Sequence, residues 1–425
     1  MQSKTISKAI LPALALISFG ISQTVYAKTS IAQNTTLTQE VTAFRNQGLK
    51  GLEAFLKIHA QELKNPSLQM RTALDTLCGQ RDCYASQLYW YTDLEQAKTA
   101  AKASGKPILS LRLLGKLDQD LSCANSRFFR VALYPNAAIS KELRDKYILH
   151  WQTVRPAPKI TIDFGDGRKL ERTITGNSIH YILDAAGRPI DAIPGLYAPK
   201  AFLRQLQLSQ IAVRELNQRT GTEWETYLRK YHSSRIQAIQ SQWTGDLNKL
   251  GIRMNTRLGN TSNTNPSPSA IVAGNVAVSK SRVEMPIVSR IETAVPGNGN
   301  TIPEIADSAI WNRIAQLYRA DAKLDKNSLA LIQAKKFYST NNSANSLQRL
   351  TNNFESAMAL DTVRNEYILH SQIHQWFVQG SDTKSVDKLN EKVYSQLFLT
   401  PNSDPWLGLL PSDTYSAIDN DGVRK

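Results

Sequence analysis

The stretch TDLEQAKTAAKASGKPILSLRL, residues 92–113, decides the fold class. Thr92 and Glu95 stand at capping-box spacing, where a hydroxyl and a carboxylate satisfy the free N–H groups of a first helical turn. The alanine-rich run continues the helix to Ser104. Gly105 is placed to end it, and Pro107 prevents it from resuming. Ile108 to Leu113 then reads as a strand.

The same alternation continues downstream. Ser122 is placed to cap a helix whose first turn holds Cys123, Ala124, Asn125 and Ser126, with Phe128, Phe129 and Val131 beyond. A helix over Ala138–Asp145 precedes a strand over Ile148–Val154. Lys159–Phe164 and Arg168–Ile174 form a hairpin about Gly165-Asp166-Gly167. His180–Leu183, a turn at Asp184–Arg188, Pro189–Ile193, Gly195 and a helix over Pro199–Leu208 close the unit. This order predicts an α/β domain, a central mixed sheet flanked by helices.

Four segments in this block resemble a divergent, extracytoplasmic thioredoxin-like domain: DLEQAKTAAKASGKPILSL, the cysteine at a following helix start, YILDAAGRPI and IPGLYAPKAFLRQL. The resemblance covers about a third of the chain and implies thiol redox chemistry. Two departures stand against a dithiol cycle. Cys123 occupies the attacking position, but Ser126 stands where the family has its resolving cysteine. The family's cis-proline is also missing, its approach being filled by Gly176, Asn177, Ser178 and Ile179.

Composition bounds the remainder. With 425 residues, two or three units are expected at roughly 100–200 residues each. Three cysteines exclude a disulfide-stapled mini-scaffold and a Cys-rich metal protein. Lys4 and Lys8, the apolar run Ala9–Ile21 and the ending Val25-Tyr26-Ala27 read as a cleaved secretory signal. Its removal lowers the formal charge from +15 to +13, a surplus that favours anionic surfaces such as phospholipid or cell-wall polymer. The basic residues are dispersed, so no specific nucleic-acid partner is expected, nor a transmembrane span after signal removal.

The expected organisation is a signal peptide at 1–27, a helical lead with the Cys78/Cys83 loop at 28–84, and the thioredoxin-like domain at 85–210. A long helix at 211–255, an irregular linker at 256–303 and a mainly α-helical region at 304–425 follow, the last ending in an extended arm through Trp406, Leu407 and Leu409. In the lead, Val41, Phe44, Leu52, Phe55, Leu56 and His59 share one face of a helix ending before Asn65-Pro66, with His59 as a core residue.

Three sets of residues carry chemistry. A thiol at Cys123 would be activated by a helix N-terminus and by a hydrogen bond from Ser126, with Asp118 and Asp120 opposing. Cys78 and Cys83 read as a local disulfide; the alternative is that one of them resolves Cys123. Glu366, His370 and His374 recur every four residues on a helix, which suits a zinc or iron site, although Leu360, Val363, Tyr367 and Phe377 flank the stripe as packing residues. No cofactor is expected. Two functions stay open: single-thiol redox chemistry at Cys123 on a protein partner or thiol substrate, or a non-catalytic thioredoxin-fold scaffold that binds a partner in the cell envelope.

Overall fold

The computed structural model describes residues 36–173, 176–252, 308–335, 344–380, 382–398, 400 and 403. The segments read from the sequence as a signal peptide, a linker at 256–303 and an extended arm through Trp406 fall outside them. The chain separates into two compact units, Met1–Leu77 and Cys78–Lys425.

In the first unit the sequence leads to one long helix, but the structure has α1 (36–45) and α2 (Leu49–Ile58) broken at Gly48, whose φ of 67° is costly for other residues. α3 (Leu68–Cys78) follows. His59 is not an apolar core residue. Its ring packs tilted against Phe55 at 4.4 Å while Nε2 meets Glu40 at 3.0 Å and Nδ1 meets Glu62 at 3.2 Å. Burial lowers its pKa, but the two carboxylates outweigh burial and the net shift is upward.

The second unit is built on β1 (Trp90–Tyr91), β2 (Ile108–Leu114), β3 (Ile148–Arg155), β6 (Ser178–Leu183) and β7 (Pro189–Pro194), in the order β1-β3-β2-β6-β7. β1, β3 and β2 are parallel, whereas β6 runs antiparallel to β2 and to β7. The short α4 (Cys83–Ser86) precedes the sheet. α5 (Leu94–Ser104) starts one residue later than the capping-box reading: Asp93, not Thr92, accepts from Glu95 N at 2.8 Å and Gln96 N at 3.0 Å. Gly105 ends it at φ 69°.

α6 (Ala124–Phe128) starts with Cys123, not Ser122, at the N-cap position, without a side-chain capping bond, and widens into a π turn over Phe129–Leu133. α7 (Ala137–Lys146) and α8 (Pro199–Leu216) complete the helical layers. β4 (Lys159–Asp163) and β5 (Lys169–Thr173) form a separate two-stranded sheet, with Ile162 and the neighbouring Phe164 exposed.

The helical region packs on this α/β body. α9 (Gly221–Lys249), α10 (Ser308–Leu317), α11 (Lys326–Lys335) and α12 (Ala344–Arg364) lead into a π turn over Asn365–His370, α13 (Ser371–Gln379) and α14 (Val386–Lys392). Trp243 on α9, Trp311 on α10 and Tyr367 on the π turn pack ring against ring. Buried Asp246 accepts from the hydroxyls of Tyr318 and Tyr367. No helix among the described residues is long and apolar enough to cross a membrane.

Two histidines sit in the sheet itself. His150 Nδ1 meets Ser110 Oγ at 2.8 Å across the β2–β3 pairing, and His180 Nε2 meets Tyr134 OH at 2.8 Å between the rings of Phe129 and Phe202. Burial pushes each pKa down to about 3. Both rings are therefore neutral in the folded chain but take up a proton below about pH 6.5 when unfolded. Stability must fall as pH drops from 6.5 towards 3, each ring contributing about 1.4 kcal/mol per pH unit. Urea unfolding of His180→Phe between pH 6 and 4 is expected to show a slope shallower by about that amount; an unchanged slope rejects a neutral His180.

Candidate functional site

Every residue of β7, Pro-Ile-Asp-Ala-Ile-Pro, is buried, so the Asp191 carboxylate has no route to water. An ion in that position is tolerated only if its oxygens are paired. Asp191 Oδ2 accepts from Tyr231 OH of α9 at 2.6 Å and from Ser209 Oγ of α8 at 3.3 Å. Oδ1 accepts from Ala192 N at 2.8 Å and meets His370 Nε2 at 3.1 Å.

His370 bridges two acids. Its Nδ1 faces Glu366 Oε2 at 3.3 Å, and Glu366 also accepts from Tyr197 OH (3.1 Å), Gln205 Nε2 (2.9 Å) and Arg235 (3.3 Å). Burial lowers the His370 pKa, but Asp191 and Glu366 overcome it and hold the ring up at about 9. Burial opposes ionisation of Asp191 and Glu366, and the hydrogen bonds from His370 still bring both carboxyls below their ordinary range. Two anions and two cations, Arg235 and His370, thus balance inside the protein.

Two further histidines lie against this array. His232 of α9 stacks on Phe377 at 4.0 Å, and its Nε2 lies 3.0 Å from Ile190 O. A carbonyl only accepts, so Nε2 carries the proton. Burial pushes His232 down to about 4, which leaves Nδ1 with its lone pair free. That Nδ1 lies 2.8 Å from Nδ1 of His374, whose own pKa burial drives well below normal. His374 Nε2 is buried with no hydrogen-bond partner among the described residues. Its Nδ1 is 3.9 Å from Asp191 Oδ1.

Of the helical triplet read from the sequence, the structure brings His370 and His374 to one point but turns Glu366 to the outer nitrogen of His370. The carboxylate at that point is Asp191, from a strand almost 180 residues earlier. Asp191, His232, Tyr231 and Arg235 escaped the sequence reading. The one available signal was an acid in the middle of an otherwise apolar strand.

Cys123 lies elsewhere and is wholly buried. Its Sγ is 3.4 Å from Ser126 Oγ, which is also 2.7 Å from Ser122 Oγ and 2.8 Å from Cys123 O. Asp120 pairs with Arg81 at 3.0 Å. The approach at residues 176–179 is occupied from the C-terminal side: Tyr394 OH donates to Asn177 O at 3.2 Å, and Asn177 Nδ2 donates to Thr400 Oγ1 at 3.1 Å. Cys78 and Cys83 are bonded to one another. Their loop is anchored on the sheet by Trp90 Nε1 to Gln80 Oε1 and Trp151 Nε1 to Gly79 O, both 2.7 Å.

Comparison with family models, curated proteins and solved structures finds no match to this chain.

Removing one member of the balanced array leaves an uncompensated buried charge. Glu366→Ala is expected to cost about 3–5 kcal/mol in urea unfolding at neutral pH. Removing the exposed Lys384–Glu225 pair by Glu225→Ala is expected to cost far less, since solvent screens both charges. Equal losses would show that the array carries no special weight.

Proposed function

We propose that this chain is a non-catalytic, thioredoxin-like scaffold protein of the extracytoplasmic compartment, in which the α-helical region is fixed to the α/β body to present a partner-binding surface. The observation that carries this reading is the environment of Cys123. Its thiol is wholly buried, and Tyr394 and Thr400 cover the backbone at Asn177, in the stretch where the resembled family has its cis-proline. A nucleophilic thiol needs access as well as a thiolate fraction.

The strand order and the helix–strand–helix–strand–hairpin–helix succession support the thioredoxin-like assignment. The mutual bonding of Cys78 and Cys83 supports the absence of a resolving partner for Cys123. Compartment and partner class follow from the signal-like N-terminus and the basic balance of the chain, which suits an anionic envelope surface. Fold alone carries no activity, so the assignment rests on the thiol's surroundings.

Alkylation of the native, non-reduced chain with peptide mapping tests the reading. Cys123 is expected to stay unlabelled until denaturant is added, and Cys78 and Cys83 until the chain is reduced. Rapid native labelling of Cys123, with mixed-disulfide formation from oxidised glutathione, would overturn the scaffold reading in favour of single-thiol redox chemistry.

A further inference from the structure

The inner faces of the buried histidine cluster have a second use. In a tetrahedral site with ligand bonds near 2.0–2.1 Å, neighbouring donor atoms stand roughly 3.3 Å apart. The contacts His232 Nδ1–His374 Nδ1 at 2.8 Å, His370 Nε2–Asp191 Oδ1 at 3.1 Å and His374 Nδ1–Asp191 Oδ1 at 3.9 Å bracket that spacing. The ligand atoms that Asp191, His370 and His374 offer lie within 4.8 Å of one another, and His232, outside that set of three, adjoins it through His374.

We infer that Asp191, His232, His370 and His374 form a closed four-ligand site for one divalent transition-metal ion of the zinc class, which clamps β7 to α9 and to the helix carrying His370 and His374.

The outer atoms of three of these residues support the assignment independently of the spacing, while His374 Nε2 meets no partner among the described residues. Metal-bound imidazoles characteristically donate their remote N–H to a carboxylate or a backbone carbonyl, which fixes the tautomer and aims the ring. His370 presents its remote Nδ1 to Glu366, and His232 presents its remote Nε2 to Ile190 O. Asp191 keeps Oδ1 inward while Tyr231 and Ser209 hold Oδ2. Glu366 is itself fixed by Tyr197, Gln205 and Arg235.

Two imidazole nitrogens, His232 Nδ1 and His374 Nδ1, face each other at 2.8 Å, a separation that one proton or one cation between them relieves. Three imidazoles and one carboxylate suit zinc and its neighbours more than magnesium or calcium, which take oxygen ligands. On binding, the ion replaces the proton on His370 Nε2, which leaves to solvent, and the proton between His232 and His374 moves to His374 Nε2, which keeps that imidazole neutral. All four ligands are buried, so a structural role follows, with no ligand position left for a substrate.

The test uses the full chain, stripped with chelator and titrated with Co²⁺ alone, followed by Zn²⁺ displacement. The expected result is one Co²⁺ per chain with the intense visible absorption of a four-coordinate site, abolished by Zn²⁺. Asp191→Asn and His374→Ala should lose stoichiometric binding. Glu366→Gln keeps the size of the side chain and is expected to weaken Co²⁺ binding about 10–100-fold. His59→Ala removes the other acid-clamped histidine, in the first unit, and should leave binding intact. Failure of the wild-type chain to take up one equivalent overturns the inference, whether or not the variants fold. Uptake that survives Glu366→Gln undiminished, or that disappears in His59→Ala, also overturns it. The result is separable from the scaffold reading, because Cys123 alkylation reports nothing about metal stoichiometry.

Discussion

The Asp191–His370 contact joins β7, a buried edge strand of the sheet, to the C-terminal helices, and the rest of the second unit is arranged around it. A carboxylate on a doubly covered strand cannot find water, so it must find a cation or donors from other elements. Three elements supply them: Ser209 from α8, Tyr231 from α9 and His370 from the π turn. Each donor comes from a different length of chain, so the carboxylate acts as a gathering point for segments the sequence holds far apart. Glu366 repeats the arrangement one layer out, collecting Tyr197, Gln205 and Arg235.

This arrangement distinguishes the unit from a sheet domain with helices merely appended. The aromatic set of Trp243, Trp311 and Tyr367 supplies apolar burial between the helices, with Asp246 satisfied beneath it. On the sheet side, α14 and the turn after it lie over the strands: Arg112 meets Asp387 at 3.1 Å, and Tyr181 OH donates to Asn390 Oδ1 at 3.3 Å. The polar contacts give geometry and the aromatic contacts give most of the transfer free energy. The disulfide loop closes another margin, where Gln80 and Gly79 hold the indoles of Trp90 and Trp151.

The sheet was legible because its signals are local. Gly105 and Pro107 end a helix through backbone geometry alone, and Ile108–Leu113 follows as a strand whatever the rest of the chain does. The helix starts were misplaced by a residue at Asp93 and Cys123; at the first, neighbouring polar side chains compete for the same free N–H groups and tertiary packing selects among them. The break at Gly48 was hidden because the apolar period runs through it. The buried cluster was half legible: a four-residue spacing reveals that Glu366, His370 and His374 share a helical stripe. It cannot reveal that a strand acid and a histidine on another helix meet two of them. Such pairing depends on topology, which no window of adjacent residues contains.

The π turn over Asn365–His370 sets the phase of everything after it. A π turn is in effect an α-helix with one residue inserted, and each residue advances the helix by about 100°. The turn sits where Asn365 Nδ2 bonds Leu196 O at 2.9 Å and crowds Gly195, whose missing side chain leaves room for it. Removing a single residue there would leave α12 in place and rotate α13 as a body. His374 would swing from His232 while the helix stayed helical and just as apolar. Insertion and deletion at this one turn therefore act as a rotary adjustment, able to connect or disconnect the cluster without altering the composition of the helix that carries it.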